Sequence, residues 1–227
     1  MAVITISREL GSRGDQIAVL VAGRLGLSIV DRERLYQAVL VTGASEAALH
    51  ELEMWEEQRW VDRILQWLRS VPQMPANVEQ PGHLVTPLTS PLDGIFSPVL
   101  PPASIAIAEL VKMLNRVIEQ RADEGDVLFL GQGAEVLLRT HPKALHVRIT
   151  ADMAFRVAAL QEQKRLSKNT AVRQLRASDQ ERAEYVRRYH NARWDDARNY
   201  HLVINTGLVP MAMASELIVT ASAALVR

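Results

Sequence analysis

The spacing of apolar residues changes several times along the chain, and each change marks an element. Residues 3–6 (VITI) form a short unbroken apolar run that predicts a strand. From Asp15 the spacing becomes helical, with Ile17, Leu20, Val21 and Leu25 on one face, and Gly26 is placed to end that helix in a left-handed conformation. A second short strand spans 27–31 and ends at Asp31, and a helix over 33–42 stops at Gly43. Ser45 can cap a longer helix reaching about residue 69, its apolar side broadened by Trp55, Trp60 and Trp67. Eight of the ten prolines then fall between Pro72 and Pro102, which predicts an extended stretch without a regular element. Helical spacing returns at Ser104 and runs through Ile107, Leu110, Val111, Leu114 and Ile118. DVLFLG at 126–131 reads as a strand buried on both faces, and a glycine turn and short helix follow it. A strand over 144–150, an arginine-rich helical region over 151–199, a strand over 201–205 and a helix over 209–226 complete the pattern.

Five short strands separated by helices predict an α/β protein with a parallel sheet, helices on both faces and right-handed crossovers. Ligands of such sheets bind at the carboxyl ends of the strands. Here those ends are Ser7, Asp31, Gly131, Thr150 and Asn205.

Composition narrows the field. The 227 residues are 48% hydrophobic but only 5% aromatic, so aliphatic side chains must build the core. No cysteine is present, which excludes disulfides, zinc-thiolate sites and thiol nucleophiles. The six histidines show no metal-ligand spacing. No stretch approaches the roughly 20 apolar residues of a membrane helix, and no leader pattern opens the chain; a cytoplasmic protein with no membrane partner is expected. The 26 basic and 26 acidic residues cancel, but not locally. From Arg156 to Arg198 there are eleven Arg or Lys against six Asp or Glu. This patch is too discontinuous for a nucleic-acid surface. It reads either as a salt-bridged helix, with Asp179, Glu181 and Glu184 near Arg182, Arg187 and Arg188, or as an anion site.

The candidate chemistry lies at the first turn. Ser7-Arg8-Glu9-Leu10-Gly11-Ser12-Arg13-Gly14-Asp15 follows a strand and opens a helix. Glycines there let successive backbone amides face an anion, and the helix adds its positive end. A complete phosphate-binding loop carries a lysine; this one carries Gly14 in that place. Arg8 and Arg13 can supply the missing positive charge. Asp15 is either a cation ligand or an ordinary first-turn acid.

Four stretches, ITISRELGSRGDQIA, LGLSIVDRERL, FLGQGAEVLL and SDQERAEYVRRYHNARWDDARNYHLVINTG, together resemble the cytidylate-kinase-like family of P-loop proteins. The lysine-free loop is common to that family. The resemblance implies a P-loop NTPase-type three-layer α/β/α domain over 1–227: a core at 1–43, 104–150 and 200–227, a helical and proline-rich insertion at 44–103, and a helical lid at 151–199. It implies an ATP-dependent phosphotransferase with magnesium, moving the γ-phosphoryl group to a nucleoside monophosphate or related acceptor. Gly11, Ser12, Arg13, Gly14 and Asp15 would hold the donor phosphates, and Asn205 and Thr206 would lie beside the adenine. Arg8, Asp31, Arg156, Arg165 and Arg182 are the implied catalytic group. Asp31, Gln132, Asp179 and Tyr185 would face the acceptor, and Asp15 and Asp31 the magnesium. Three departures stand out. Gln132 replaces an arginine of a Gly-Arg-Gly turn, Arg13 stands where glycine is common, and Asp15 where a basic residue is common. They keep open an alternative, a weak or inactive nucleotide-binding relative acting as a sensor or interaction module. A homodimer through 45–102 is a further expectation.

Overall fold

The first strand sets the frame. In the computed structural model, which describes residues 2–41 and 103–225, β1 (Val3–Arg8) is buried along most of its length. It pairs in parallel with β3 (Val127–Leu130) on one side and β4 (Ala144–Thr150) on the other. β2 (Ser28–Val30) extends the sheet beyond β3, and β5 (Leu202–Asn205) extends it beyond β4. The order is β2-β3-β1-β4-β5 with every pairing parallel.

Alternating side chains feed two cores. Ile4 and Ile6 of β1, Leu128 of β3, and Leu145, Val147 and Ile149 of β4 pack with Ile17 and Val21 of α1 (Gly14–Leu25) and Ala214 and Ile218 of α7 (Met211–Leu225). On the opposite face, Val3, Val127, Phe129 and Ala144 meet Leu35 of α2 (Arg32–Val41), Leu110 and Leu114 of α3 (Ala103–Glu124), and Tyr185 and Val186 of α6 (Lys168–His190). The result is the three-layer α/β/α architecture expected of a P-loop NTPase-type fold. The short α4 (Ala134–Leu137) follows β3. α5 (Met153–Lys164) and α6 form a small separate core from Val157, Leu160, Ala171 and Leu175, which Leu10 of the first turn joins.

Two details differ from the sequence pattern. Leu20 is largely exposed; the inward stripe of α1 is Ile17, Ala18, Val21 and Ala22, with alanines taking the inner places. The last helix begins at Met211, after Pro210 rather than before it. Gly26 does end α1 in the left-handed region, at φ 66°. The expected helix over 45–69, the proline-rich stretch and the dimer contact through 45–102 lie outside the described residues. Among the described residues, no helix is long and apolar enough to cross a membrane.

One face of the sheet changes character along its length. The positions of β1 that face α3 and α6 begin with Val3 and continue with Thr5 and Ser7; those of β4 begin with Ala144 and continue with His146 and Arg148. Register pairs Thr5 with His146 and Ser7 with Arg148. The interior is thus apolar at the amino ends of the strands and polar at the carboxyl ends, under the site.

Candidate functional site

Buried polar side chains need partners, and those of β1 and β4 find them in the segment after α6. Trp194 Nε1 donates to Ser7 Oγ at 2.8 Å. The Arg148 guanidinium lies 4.1 Å over the Trp194 ring and donates to the Trp194 carbonyl at 2.7 Å. Its other nitrogen reaches Glu9 Oε1 at 3.1 Å. Glu9 is the hub of the first turn. Its carboxylate also accepts from Thr150 Oγ1 at 2.8 Å and the Ala151 amide at 3.1 Å, and lies 3.3 Å from Arg156. Arg156 in turn holds Asp179 with two hydrogen bonds of 2.9 and 2.6 Å and donates to the Leu10 carbonyl at 2.8 Å. One buried arginine therefore ties α5, α6 and the turn together.

The turn itself is only partly used up. Ser12 is fully buried, and its amide and hydroxyl both donate to the Glu9 carbonyl, at 3.2 and 2.7 Å. The amides of Gly11, Arg13 and Gly14 have no acceptor among the described residues. Gly11 has φ 79°, and a Cβ there would lie 2.7 Å from the Arg156 carbonyl oxygen, so only glycine fits. Arg13 precedes α1 at φ 62° and turns its side chain outward, 5.4 Å over the Phe155 ring and 3.9 Å from Glu162. Arg8 leans the other way: it bonds Asp15 at 3.0 and 2.9 Å and the Leu130 carbonyl at 3.3 Å.

Two clefts flank the turn. A cavity of about 300 Å³ is walled by Ser7, Arg8, Gln132, Glu135, Arg182 and Trp194, among others. A more open cleft of about 570 Å³ includes Gly11, Arg13, Asp15, Glu162 and Met211 in its walls. The predicted residues divide between them. Arg8, Gln132, Arg182 and Tyr185 line the first; Gly11, Arg13 and Asp15 line the second. Arg182 also donates to the Arg8 carbonyl at 2.6 Å. Thr206 is buried and donates to the Ser12 carbonyl at 2.7 Å, fastening the β5 end to the turn, while Asn205 accepts from the Gly207 amide at 2.9 Å. Asp31 accepts from the Arg34 amide at 3.0 Å, the geometry of a helix cap, and lines neither cleft. Arg165 ends α5 in the left-handed region, exposed at the junction with α6. Arg156 and Asp179 face each other rather than open space.

Sequence reasoning passed over Glu9, Arg148, Glu135, Trp194 and Tyr200. Glu135, only 1% exposed, lies in the wall of the first cavity. Its Oε1 is 3.3 Å from the Tyr200 hydroxyl, and that hydroxyl makes a shorter bond of 2.8 Å to the Trp194 carbonyl. Burial pushes the Glu135 pKa upward, against the opposing pull of its own backbone amide, Tyr200 and the nearby arginines 148 and 182. Burial also pushes the Tyr200 hydroxyl upward, followed by the effect of the Glu135 carboxylate. Among the described residues, no group of three or more His, Asp or Glu side chains is placed to hold a metal.

A solved structure agrees with this architecture. A protein of undescribed function from Eubacterium ventriosum has a crystal structure that superposes with a TM-score of 0.65 at 17% identity, covering 98% of this chain and 99% of that one. TT1252 from Thermus thermophilus gives a TM-score of 0.45 at 16% identity, covering 98% and 97%. No curated protein matches the chain. The model of the cytidylate kinase-like family matches residues 3–208, and with nearly the whole described fold inside that match, this chain belongs to that family.

Proposed function

We propose that the chain transfers the γ-phosphoryl group of ATP to a nucleoside monophosphate or a related small phosphorylated acceptor. The observation that carries this reading is one turn with three unbonded amides, at Gly11, Arg13 and Gly14, lying between two clefts. An oxygen of the acceptor phosphate attacks the γ-phosphorus, the bond from that phosphorus to the β,γ-bridging oxygen breaks, and ADP leaves. Such a transfer asks mainly for positioning and positive charge from the protein.

In this reading Gly11, Ser12, Arg13 and Gly14 seat the donor phosphates through their backbone. The nucleotide lies on the Arg13 and Met211 side, with Asn205 and Thr206 near its base. Gln132 and Tyr185 face the acceptor, with Asp31 at the edge of that region. Arg8 exchanges Asp15 for phosphate, and Arg182 adds charge from α6. Arg165 approaches when α5 and α6 close as a lid. Arg156 and Asp179 act as positioning residues, holding turn and lid in register.

Magnesium accepts oxygen ligands and commonly keeps substrate phosphates and water in its shell. The largely exposed Asp15 carboxylate, at the mouth of the turn, suits that role. Asp31 has one oxygen left beyond its cap. When bound with the nucleotide, the ion supplies charge neutralisation across the phosphates.

The test is magnesium-dependent ATP consumption across a panel of nucleoside monophosphates. Stimulation by one or a few acceptors is the expected result, and no turnover above background with any of them sinks the reading. A second reading, a nucleotide sensor without turnover, is favoured by Ser12: its hydroxyl is buried against Glu9 instead of facing the cleft. Calorimetry separates the two, since the sensor binds ATP and consumes none.

A further inference from the structure

Arg8 and Asp15 form an ion pair that joins the two clefts. Arg8 stands in the wall of the cavity of about 300 Å³, and Asp15 in the wall of the cleft of about 570 Å³. Two glycines make room for the arginine. A Cβ at Gly14 would lie 2.5 Å from Arg8 Cβ, and one at Gly131 would lie 2.8 Å from Arg8 Nη1. The side chain thus has a track of its own between the first turn and the turn after β3. Arg182 holds the Arg8 carbonyl at 2.6 Å, so the strand end is anchored independently of the guanidinium.

The bonds of that guanidinium decide what it can still grip. Nη1 donates to the Leu130 carbonyl at 3.3 Å. Nε and Nη2 both meet one oxygen, Asp15 Oδ1, at 3.0 and 2.9 Å. These two nitrogens are the fork with which an arginine holds two oxygens of a phosphate. Asp15 therefore fills the edge that a phosphate needs, and side-on capture by Arg8 requires Asp15 to leave. The pair opens easily. The Asp15 side chain is 64% exposed, against 19% for Arg8, and an exposed pair contributes a factor of about five at most. A doubly charged phosphate on both nitrogens holds the fork more strongly. Once released, Asp15 is an unbalanced carboxylate in the first turn of α1, next to the amides of Gly11, Arg13 and Gly14, which are unbonded among the described residues. A divalent cation, which takes oxygen ligands, restores the balance there.

We propose that Asp15 is a built-in counter-ion: it holds Arg8 back from phosphate in the empty protein, and it makes phosphate in the first cavity and a divalent cation in the second cleft bind cooperatively. This rests on the phosphotransfer reading only for what fills the two clefts. Each ligand breaks the pair that opposes the other, and the coupling is equal in both directions.

The full chain is titrated with inorganic phosphate by calorimetry, without nucleotide, in the absence and in the presence of magnesium. Magnesium should tighten phosphate binding by the parent chain about threefold, and Asp15→Asn without magnesium should bind about three- to fivefold more tightly than the parent. Magnesium should then leave the affinity of Asp15→Asn unchanged. A carboxylate repelling phosphate through space would give the same gain, and a double variant separates the two. Arg8→Gln has no fork to hold back. Its phosphate binding, whether weak or lost altogether, should not be improved by adding Asp15→Asn. Should Arg8→Gln fail to fold, the NMR resonance of the Arg8 Nε–H group decides: phosphate should shift it in the parent chain, and an unmoved resonance counts against the exchange. Unchanged or weaker binding in Asp15→Asn, an equal gain in the Arg8→Gln background, no effect of magnesium on the parent, or no phosphate binding by any of these proteins overturns the proposal. Coupling without ATP consumption leaves the counter-ion standing and sinks only the phosphotransfer reading.

Discussion

Glu9, partly buried, and Glu135, fully buried, both lie at the carboxyl edge of the sheet, and their surroundings are opposite. Glu9 accepts from Arg148, Thr150 and the Ala151 amide and lies against Arg156. Glu135 has only its own backbone amide and a 3.3 Å contact to Tyr200, with its second oxygen unbonded among the described residues. The first turn spends its carboxylate on holding the protein together. The turn after β3 keeps its carboxyl in reserve. Strength of internal bonding thus separates the two glutamates, though they look alike in the chain.

The sharpest way to break that contrast is Glu9→Ala. It leaves Arg148, whose side chain is only 7% exposed, without its carboxylate partner, while Arg156 keeps Asp179. Breaking a buried pair from one side costs about 3–5 kcal/mol, a loss read directly from chemical denaturation. A cost near that of an ordinary surface substitution would show that Glu9 is not the hub.

A smaller effect comes from acid. His146 is buried against Thr5 and stacks on His201 at 5.0 Å. Burial, then His201, lowers its pKa to about 4. The unfolded chain takes up that proton more readily than the folded one. Stability is therefore complete above the ordinary histidine value and is lost as pH falls from about 6.5 towards 4, by up to about 3 kcal/mol. Denaturation midpoints across that window check the loss, and His146→Asn should flatten it.

The smallest expected change is a gain. The pKa of Glu135 is raised, so its neutral form fits the fold. The associated stability is present below the ordinary carboxyl pKa and is lost as pH rises through the folded value. Glu135→Gln has no charge to bury, and its melting temperature should exceed that of the parent chain by more at pH 8 than at pH 5. A variant less stable at both pH values would mean that Glu135 is as firmly bonded as Glu9.

Much of the frame was legible in the sequence because period and punctuation report burial directly. The run 126–131 became the fully buried β3, Gly26 became a left-handed cap, and the glycine turn opened α1. The internal partners of the site were not legible. Glu9 stands in a loop read for its glycines, and nothing near it in sequence names Arg148 or Arg156, which arrive from β4 and α5. A signal did exist: Arg148 interrupts an apolar strand, and a charge placed there demands a counter-charge. Asp179 was read with its neighbours on α6, yet its partner is Arg156 on the adjacent helix. Spacing along one helix cannot anticipate a contact between two.

α6 has 23 residues, which makes it a stiff rod of about 34 Å. Its middle holds Arg156 of α5 through Asp179 and the Arg8 carbonyl through Arg182, and its far end seats the His190 ring on Gly133. Such a rod is a balance beam for the proposed transfer: a tilt at one end is carried to the other.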